Sequence, residues 1–220
     1  MASKLYYNTV TPLLRSILKT LMAADEFKEF RLVGGTALSL YRGHRESVDI
    51  DLFTDAVYGT IDFDAINTFL YNTFPYVDTS KDNIIGFGKS YFIGESAENS
   101  IKLDVFYTND SFIDDIVLID NIRLASVEEI VAMKVDVVSR GGRKKDFWDI
   151  HELMNDYGVD EMFALHKKRH PYVHNRNELK HKFKDFENAD IDFDPICLRG
   201  KHWTLIKLDI INFVEYLSER

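Results

Sequence analysis

Two stretches of this chain carry residue types whose spacing suits chemistry on phosphate. Val33-Gly34-Gly35-Thr36 closes a short apolar run, and Asp49-Ile50-Asp51 lies in a stretch of strict alternation over residues 47–53. A strand alternates with period two, so Val48, Ile50 and Leu52 fall on one face and Ser47, Asp49 and Asp51 on the other. The two carboxylates then stand roughly 6–7 Å apart along the strand. Like charges held there repel unless something positive lies between them, and a divalent cation answers that need. Mg²⁺ takes a few carboxylates plus substrate phosphates. Residues 101–107 repeat the pattern, with Lys102, Asp104 and Phe106 on the polar face. If this strand lies beside the first, Asp104 joins Asp49 and Asp51. Three carboxylates on adjacent strands can clamp two metals ~3.5–4 Å apart for in-line phosphoryl transfer.

Gly34-Gly35 lies between a strand and a short helix, where glycine lets the backbone approach a phosphate and the helix presents free N–H groups. Taken singly, each element reads as an ordinary turn or a solvated strand face. Together they predict a nucleotide and metal site.

The elements that must position these residues follow from periodicity. Residues 4–23 read as a helix, 30–33 as a buried strand, and 36–41 as a short helix with Thr36 as N-cap. Residues 61–73 are helical, 83–94 suggest a hairpin, and 116–119 one more strand. Beyond Ala125 the pattern turns helical. Ser126-x-x-Glu129 is a capping-box signature for a helix to about Ser139, broken by Gly141-Gly142. Helices are predicted over 145–157 with Gly158 as C-cap, over 159–169, 177–187 and 210–218. The expected organisation is an α/β part over residues 1–124 and a helical part over 125–220.

Here the sequence resembles a family. GGTALSLY, RESVDIDLF, KLDVF, a helix with Lys134 and the segment KKDFWDIHEL are similar to the nucleotidyltransferases of the DNA polymerase β superfamily. More narrowly they resemble the AbiEii/AbiGii toxins of abortive-infection toxin–antitoxin pairs, over roughly residues 33–153. The resemblance implies an α+β fold, a nucleotidyltransferase-type mixed sheet with flanking helices, followed by a helical C-terminal part that completes the active-site cleft. It implies Asp49, Asp51 and Asp104 as metal ligands and catalytic groups, and Gly34, Gly35 and Thr36 as holders of the triphosphate. Lys134 would contact the nucleotide, and Asp146 would be the characteristic acid of the basic-Asp-aromatic segment. The implied reaction moves an NMP from an NTP to a hydroxyl of tRNA or protein, with Mg²⁺ as cofactor and a cognate antitoxin as partner. The alternatives are a small-molecule nucleotidyltransferase of the antibiotic-modifying kind and a catalytically silent nucleotide-binding protein.

Composition bounds the rest. The 220 residues are 45% hydrophobic, enough for a core. Lys and Arg total 27 against 36 Asp and Glu, a net charge of −9 that disfavours bulk nucleic-acid binding. A local exception spans residues 165–184, with Lys167, Lys168, Arg169, Arg176, Lys180, Lys182 and Lys184 against Glu178. This stretch is either an RNA-facing patch or a solvated helix face. Arg42 and Arg45 could reach a phosphate or pair with Glu46. His166, His170 and His174 are spaced by four, but Pro171 interrupts them and no thiol is nearby. The single cysteine, Cys197, precludes an internal disulfide. No apolar run approaches a membrane span and no secretory signal opens the chain, so a cytoplasmic protein is expected.

Overall fold

The structure, a computed structural model, describes residues 4–79 and 86–215. It divides into two compact units. One comprises residues 1–42, 47–111 and 115–125, and the other residues 43–46, 112–114 and 126–220.

The first unit is built on a mixed sheet. Among the described residues it has seven strands: β1 (Arg31–Leu32), β2 (Asp49–Thr54), β3 (Tyr76–Thr79), β4 (Gly88–Gly94), β5 (Ser100–Tyr107), β6 (Val117–Ile119) and β7 (Ile122–Leu124), in the order β3-β4-β5-β2-β1-β7-β6. β2 and β5 are parallel neighbours, and so are β1 and β7; the other pairings are antiparallel. The alternation read from the sequence is real: Ile101, Leu103, Val105 and Tyr107 are buried while Lys102, Asp104 and Phe106 are half-buried. Val48 departs from it. The strand begins at Asp49, and Val48 is exposed.

α1 (Pro12–Ala23) packs Leu14, Ile17, Leu18 and Leu21 into the core. It starts later than its apolar spacing suggests, because Thr11 caps it, accepting from Leu14 N at 3.1 Å, and Pro12 takes the first helical position. α3 (Phe63–Thr73) is capped by Asp62. Arg123 of β7 donates to the carbonyls of Met22, Phe27 and Phe30, which ties the α1 end to the sheet. The expected hairpin over 83–94 is a different pairing, since β4 pairs with β3 and β5; residues 83–85 of that expectation lie outside the described residues.

The second unit is helical: α4 (Val127–Ser139), α5 (Lys144–Leu153), α6 (Val159–Arg169), α7 (Arg176–Lys182), α8 (Glu187–Asp190) and α9 (Trp203–Glu215). Ser126 caps α4 as predicted, but Glu129 does not return the bond. Its carboxylate is buried on Arg169 and the Ile113 N–H instead, so tertiary partners replace half of the capping box. Gly158 is the N-cap of α6, not the C-cap of α5, which ends at Leu153. α9 begins well before Ile210, and residues 216–218 of the predicted helix lie outside the described residues. Phe147, Trp148, Phe186 and Trp203 form the aromatic centre under α5, α8 and α9. Among the described residues no helix is long and apolar enough to cross a membrane.

Candidate active site

The first unit brings the three predicted carboxylates onto neighbouring strands. In the β2–β5 register Asp51 stands opposite Asp104, and Asp49 opposite Lys102. Asp49, Asp51 and Asp104 are all half-buried on the polar face. Asp104 is held from both sides: Ser90 Oγ donates to Oδ1 at 2.6 Å, and Lys102 Nζ to Oδ2 at 2.5 Å. Burial works against the charge on Lys102, but the hydrogen bond and charge of Asp104, with Asp49 and Asp51 behind it, outweigh that and raise its pKa. The Lys102 ammonium thus lies on Asp104, on the strand beside Asp49 and Asp51.

The turn before α2 (Gly34–Arg42) is shaped around the same group. Val33 N donates to Asp51 O at 2.9 Å. Gly34 has φ +70°, and a Cβ there would meet Asp51 Oδ2 at 2.8 Å, so only glycine leaves room for this carboxylate. Thr36 is not the N-cap the sequence suggested, because the helix already begins at Gly34. Its side chain is buried, donating to the Asp49 carbonyl and paired with Ser47 Oγ at 2.8 Å. The hydroxyl therefore fixes the entry of β2, and what α2 presents to an anion is its first backbone N–H groups.

The donor set fits a hard divalent ion: half-buried carboxylate oxygens on two neighbouring strands, with Asp51 packed close against Gly34. Among the described residues no three His, Cys, Asp or Glu side chains are already gathered as a metal centre. A recess of about 230 Å³, lined in part by Asp55, Tyr58, Phe87 and Tyr107, lies beyond the C-terminal end of β2 and does not include the three carboxylates.

Lys134 and Asp146 lie in the second unit, where they meet each other. Lys134 Nζ is 2.7 Å from Asp146 Oδ1 and 2.7 Å from Asp149 Oδ2, and all three residues are buried. Asp149 is the hub. It also accepts from Arg45 Nε at 2.7 Å, Arg45 Nη2 at 2.8 Å and His44 Nε2 at 2.8 Å. Burial alone would raise the Asp149 carboxyl, but Arg45 and Lys134 hold it well below the usual carboxylate range. Burial likewise opposes the charge on Lys134, and Asp149 and Asp146 overcome it and raise its pKa. Arg45 is therefore occupied by Asp149 rather than by Glu46, whose carbonyl takes only Nη1. Sequence reasoning underrated Asp149, although it lies three residues after Asp146 on the same helical face. It also passed over Lys102, which shares the polar face of Asp104.

The basic stretch is mostly paired inside this unit. Arg169 is buried on Glu129, Arg176 pairs with Asp160, Lys182 with Asp185 and Lys184 with Glu215. Lys167 and Lys168 are exposed. His166 and His174 bring their Nδ1 atoms to 3.0 Å, with Asp136 3.7 Å from His166 Nε2.

A family model described as the nucleotidyl transferase AbiEii toxin of type IV toxin–antitoxin systems matches residues 16–215. The chain belongs to the AbiEii nucleotidyltransferase toxin family. An Aquifex aeolicus protein is 28% identical over 171 residues, 71% of this chain and 73% of that protein. The AbiEii fold is shared with JHP933 from Helicobacter pylori, at TM-score 0.59 and 18% identity over 94% of this chain and 89% of that one. It is shared too with MenT4, a nucleotidyltransferase toxin from Mycobacterium tuberculosis, at TM-score 0.55 and 11% identity over 92% and 80% of the two chains. This AbiEii chain is accordingly a nucleotidyltransferase with the mixed sheet and flanking helices expected of one.

Proposed function

We propose that this chain transfers an NMP from an NTP to an acceptor hydroxyl, with Mg²⁺ held by Asp49 and Asp51 and joined by Asp104. The observation that carries the reading is the β2–β5 register, which sets Asp51 against Asp104 with Asp49 two residues away on the same face. Mg²⁺ bound there supplies positive charge to the phosphate oxygens as the transferring group develops negative charge. The N–H groups of Gly34, Gly35 and Thr36 at the start of α2 bind the triphosphate. Asp104 takes the acceptor proton as the hydroxyl oxygen attacks the α-phosphorus, and the bond to the bridging oxygen breaks to release pyrophosphate. Positioning does most of this work. Lys134, as a nucleotide contact, and Asp146, as the characteristic acid, belong to the reading through the family resemblance; within the second unit Lys134 is ion-paired with Asp146 and Asp149. The acceptor is a hydroxyl of tRNA or of a protein, the setting is the cytoplasm, and a cognate antitoxin controls the toxin.

The test is labelling with each α-labelled NTP, Mg²⁺ and either total tRNA or cell protein. The Asp49→Asn/Asp51→Asn chain should fold and transfer nothing, because removing repelling carboxylates relieves rather than adds strain. Transfer near the unsubstituted level by that double variant refutes the assignment. Label found only on a small molecule turns the reading to an antibiotic-type acceptor.

A further inference from the structure

Four in-register positions of β2 and β5 form a rectangle on one face of the sheet: Asp49 and Asp51 on one strand, Lys102 and Asp104 on the other. Three corners are carboxylates and one is an ammonium. The Lys102 side chain is 40% exposed and has water within reach, yet its Nζ lies down on Asp104 Oδ2 at 2.5 Å. Ser90 takes the other oxygen at 2.6 Å, so both oxygens of Asp104 are engaged. An ammonium is a compact point charge with three donors, and here it is set beside three carboxylates in the strand register.

We propose that Lys102 is a tethered counter-cation that occupies the carboxylate site in competition with the divalent ion and so sets how tightly that ion binds. This rests on the reading of Asp49, Asp51 and Asp104 as its ligands. The competition is one of charge. Each Asp104 oxygen takes one donor and keeps a second lone pair, but the Lys102 ammonium on Oδ2 already supplies a positive charge there. A divalent ion held by the same carboxylates would meet that charge at close range, and the N–H···O bond would open with the ammonium still protonated. The withdrawn ammonium remains tethered one strand away and repels the incoming charge. Such a site fills poorly from free divalent ion and well when substrate phosphates bring further ligands.

The experiment titrates Mn²⁺ alone, without nucleotide, into the full chain by calorimetry. Mg²⁺-dependent thermal stabilisation is the second readout. Lys102→Met keeps the stem and removes the charge, and it should bind Mn²⁺ about tenfold more tightly, equivalent to about 1.4 kcal/mol. Lys102→Gln should show the same direction, and Lys102→Arg, which keeps the charge, should stay near the unsubstituted chain. Unchanged or weaker Mn²⁺ binding in Lys102→Met and Lys102→Gln overturns the inference. The Asp49→Asn/Asp51→Asn chain separates the two levels. If it loses Mn²⁺ while Lys102→Met is unchanged, only the role of Lys102 fails. If it binds Mn²⁺ as well as the unsubstituted chain, the carboxylate assignment fails and the inference with it.

Discussion

Replacing Asp149 by alanine removes a carboxylate that faces Arg45, His44 and Lys134 together. The residue is fully buried, accepts from Arg45 through two nitrogens and from His44, and is ion-paired with Lys134, each at 2.7–2.8 Å. Removing one side of a buried ion pair strands the other and costs about 3–5 kcal/mol. Asp149→Ala removes the buried carboxylate that takes two Arg45 nitrogens and leaves Lys134 facing Asp146, so the second unit should lose about that amount. The chain's two tryptophans, Trp148 and Trp203, both lie in that unit and stack at 6.2 Å, so intrinsic fluorescence reports its unfolding specifically. With a urea slope of about 2 kcal/mol per M, the midpoint should fall by about 1.5–2.5 M.

The pH dependence has a definite sign. The folded pKa of Asp149 is depressed well below its unfolded value, so its contribution is complete above the ordinary carboxylate range, near pH 4. It is lost as pH falls below that range through the folded pKa. Asp149→Ala should therefore flatten the acid limb of the stability curve, and Asp149→Asn should flatten it equally while keeping the shape of the side chain. A loss under about 1 kcal/mol, or an acid limb as steep as in the unsubstituted chain, would refute the view of Asp149 as the charge hub.

Gly34→Ala should cost about 1–2 kcal/mol for its left-handed φ. Its Cβ should also displace the Asp51 carboxylate, so transfer falls at least tenfold in kcat while the fold survives; unaltered kcat in a folded variant would leave Gly34 a mere turn. Charge reversal at Lys167 and Lys168 tests an RNA-facing role without disturbing Arg169, whose buried pairing with Glu129 makes it unsuitable for the test. If tRNA is the acceptor at this surface, labelling of tRNA should drop and the log–log salt slope should lessen by about 0.7–0.9 for each phosphate no longer neutralised. Unchanged tRNA labelling at physiological salt assigns the two lysines to a solvated helix face. Glu129→Gln should destabilise the second unit by about 3–5 kcal/mol by removing the charge buried against Arg169, read by the same tryptophan fluorescence.

By itself the sequence determined the local elements and their faces. Alternation at 47–53 and 101–107 marked two strands, found at Asp49–Thr54 and Ser100–Tyr107, with carboxylates on the polar side, because period two is fixed by covalent geometry. Ser126 announced the start of α4, and the GG…DID spacing with its family resemblance pointed to nucleotidyl transfer. Where local signals misled, a distant partner had displaced a near one. Glu129 left its capping box for Arg169, and Thr36 turned inward to hold β2 rather than cap a helix. Only the tertiary structure decided that β5 runs parallel beside β2 with Asp104 facing Asp51, and that Lys102 completes that group. Only it gathered His44 and Arg45 with Lys134, Asp146 and Asp149, about a hundred residues further on. Strand order and burial of charge depend on which surfaces exclude water together. Periodicity shows a side chain's face, but the packed fold selects the group opposite it.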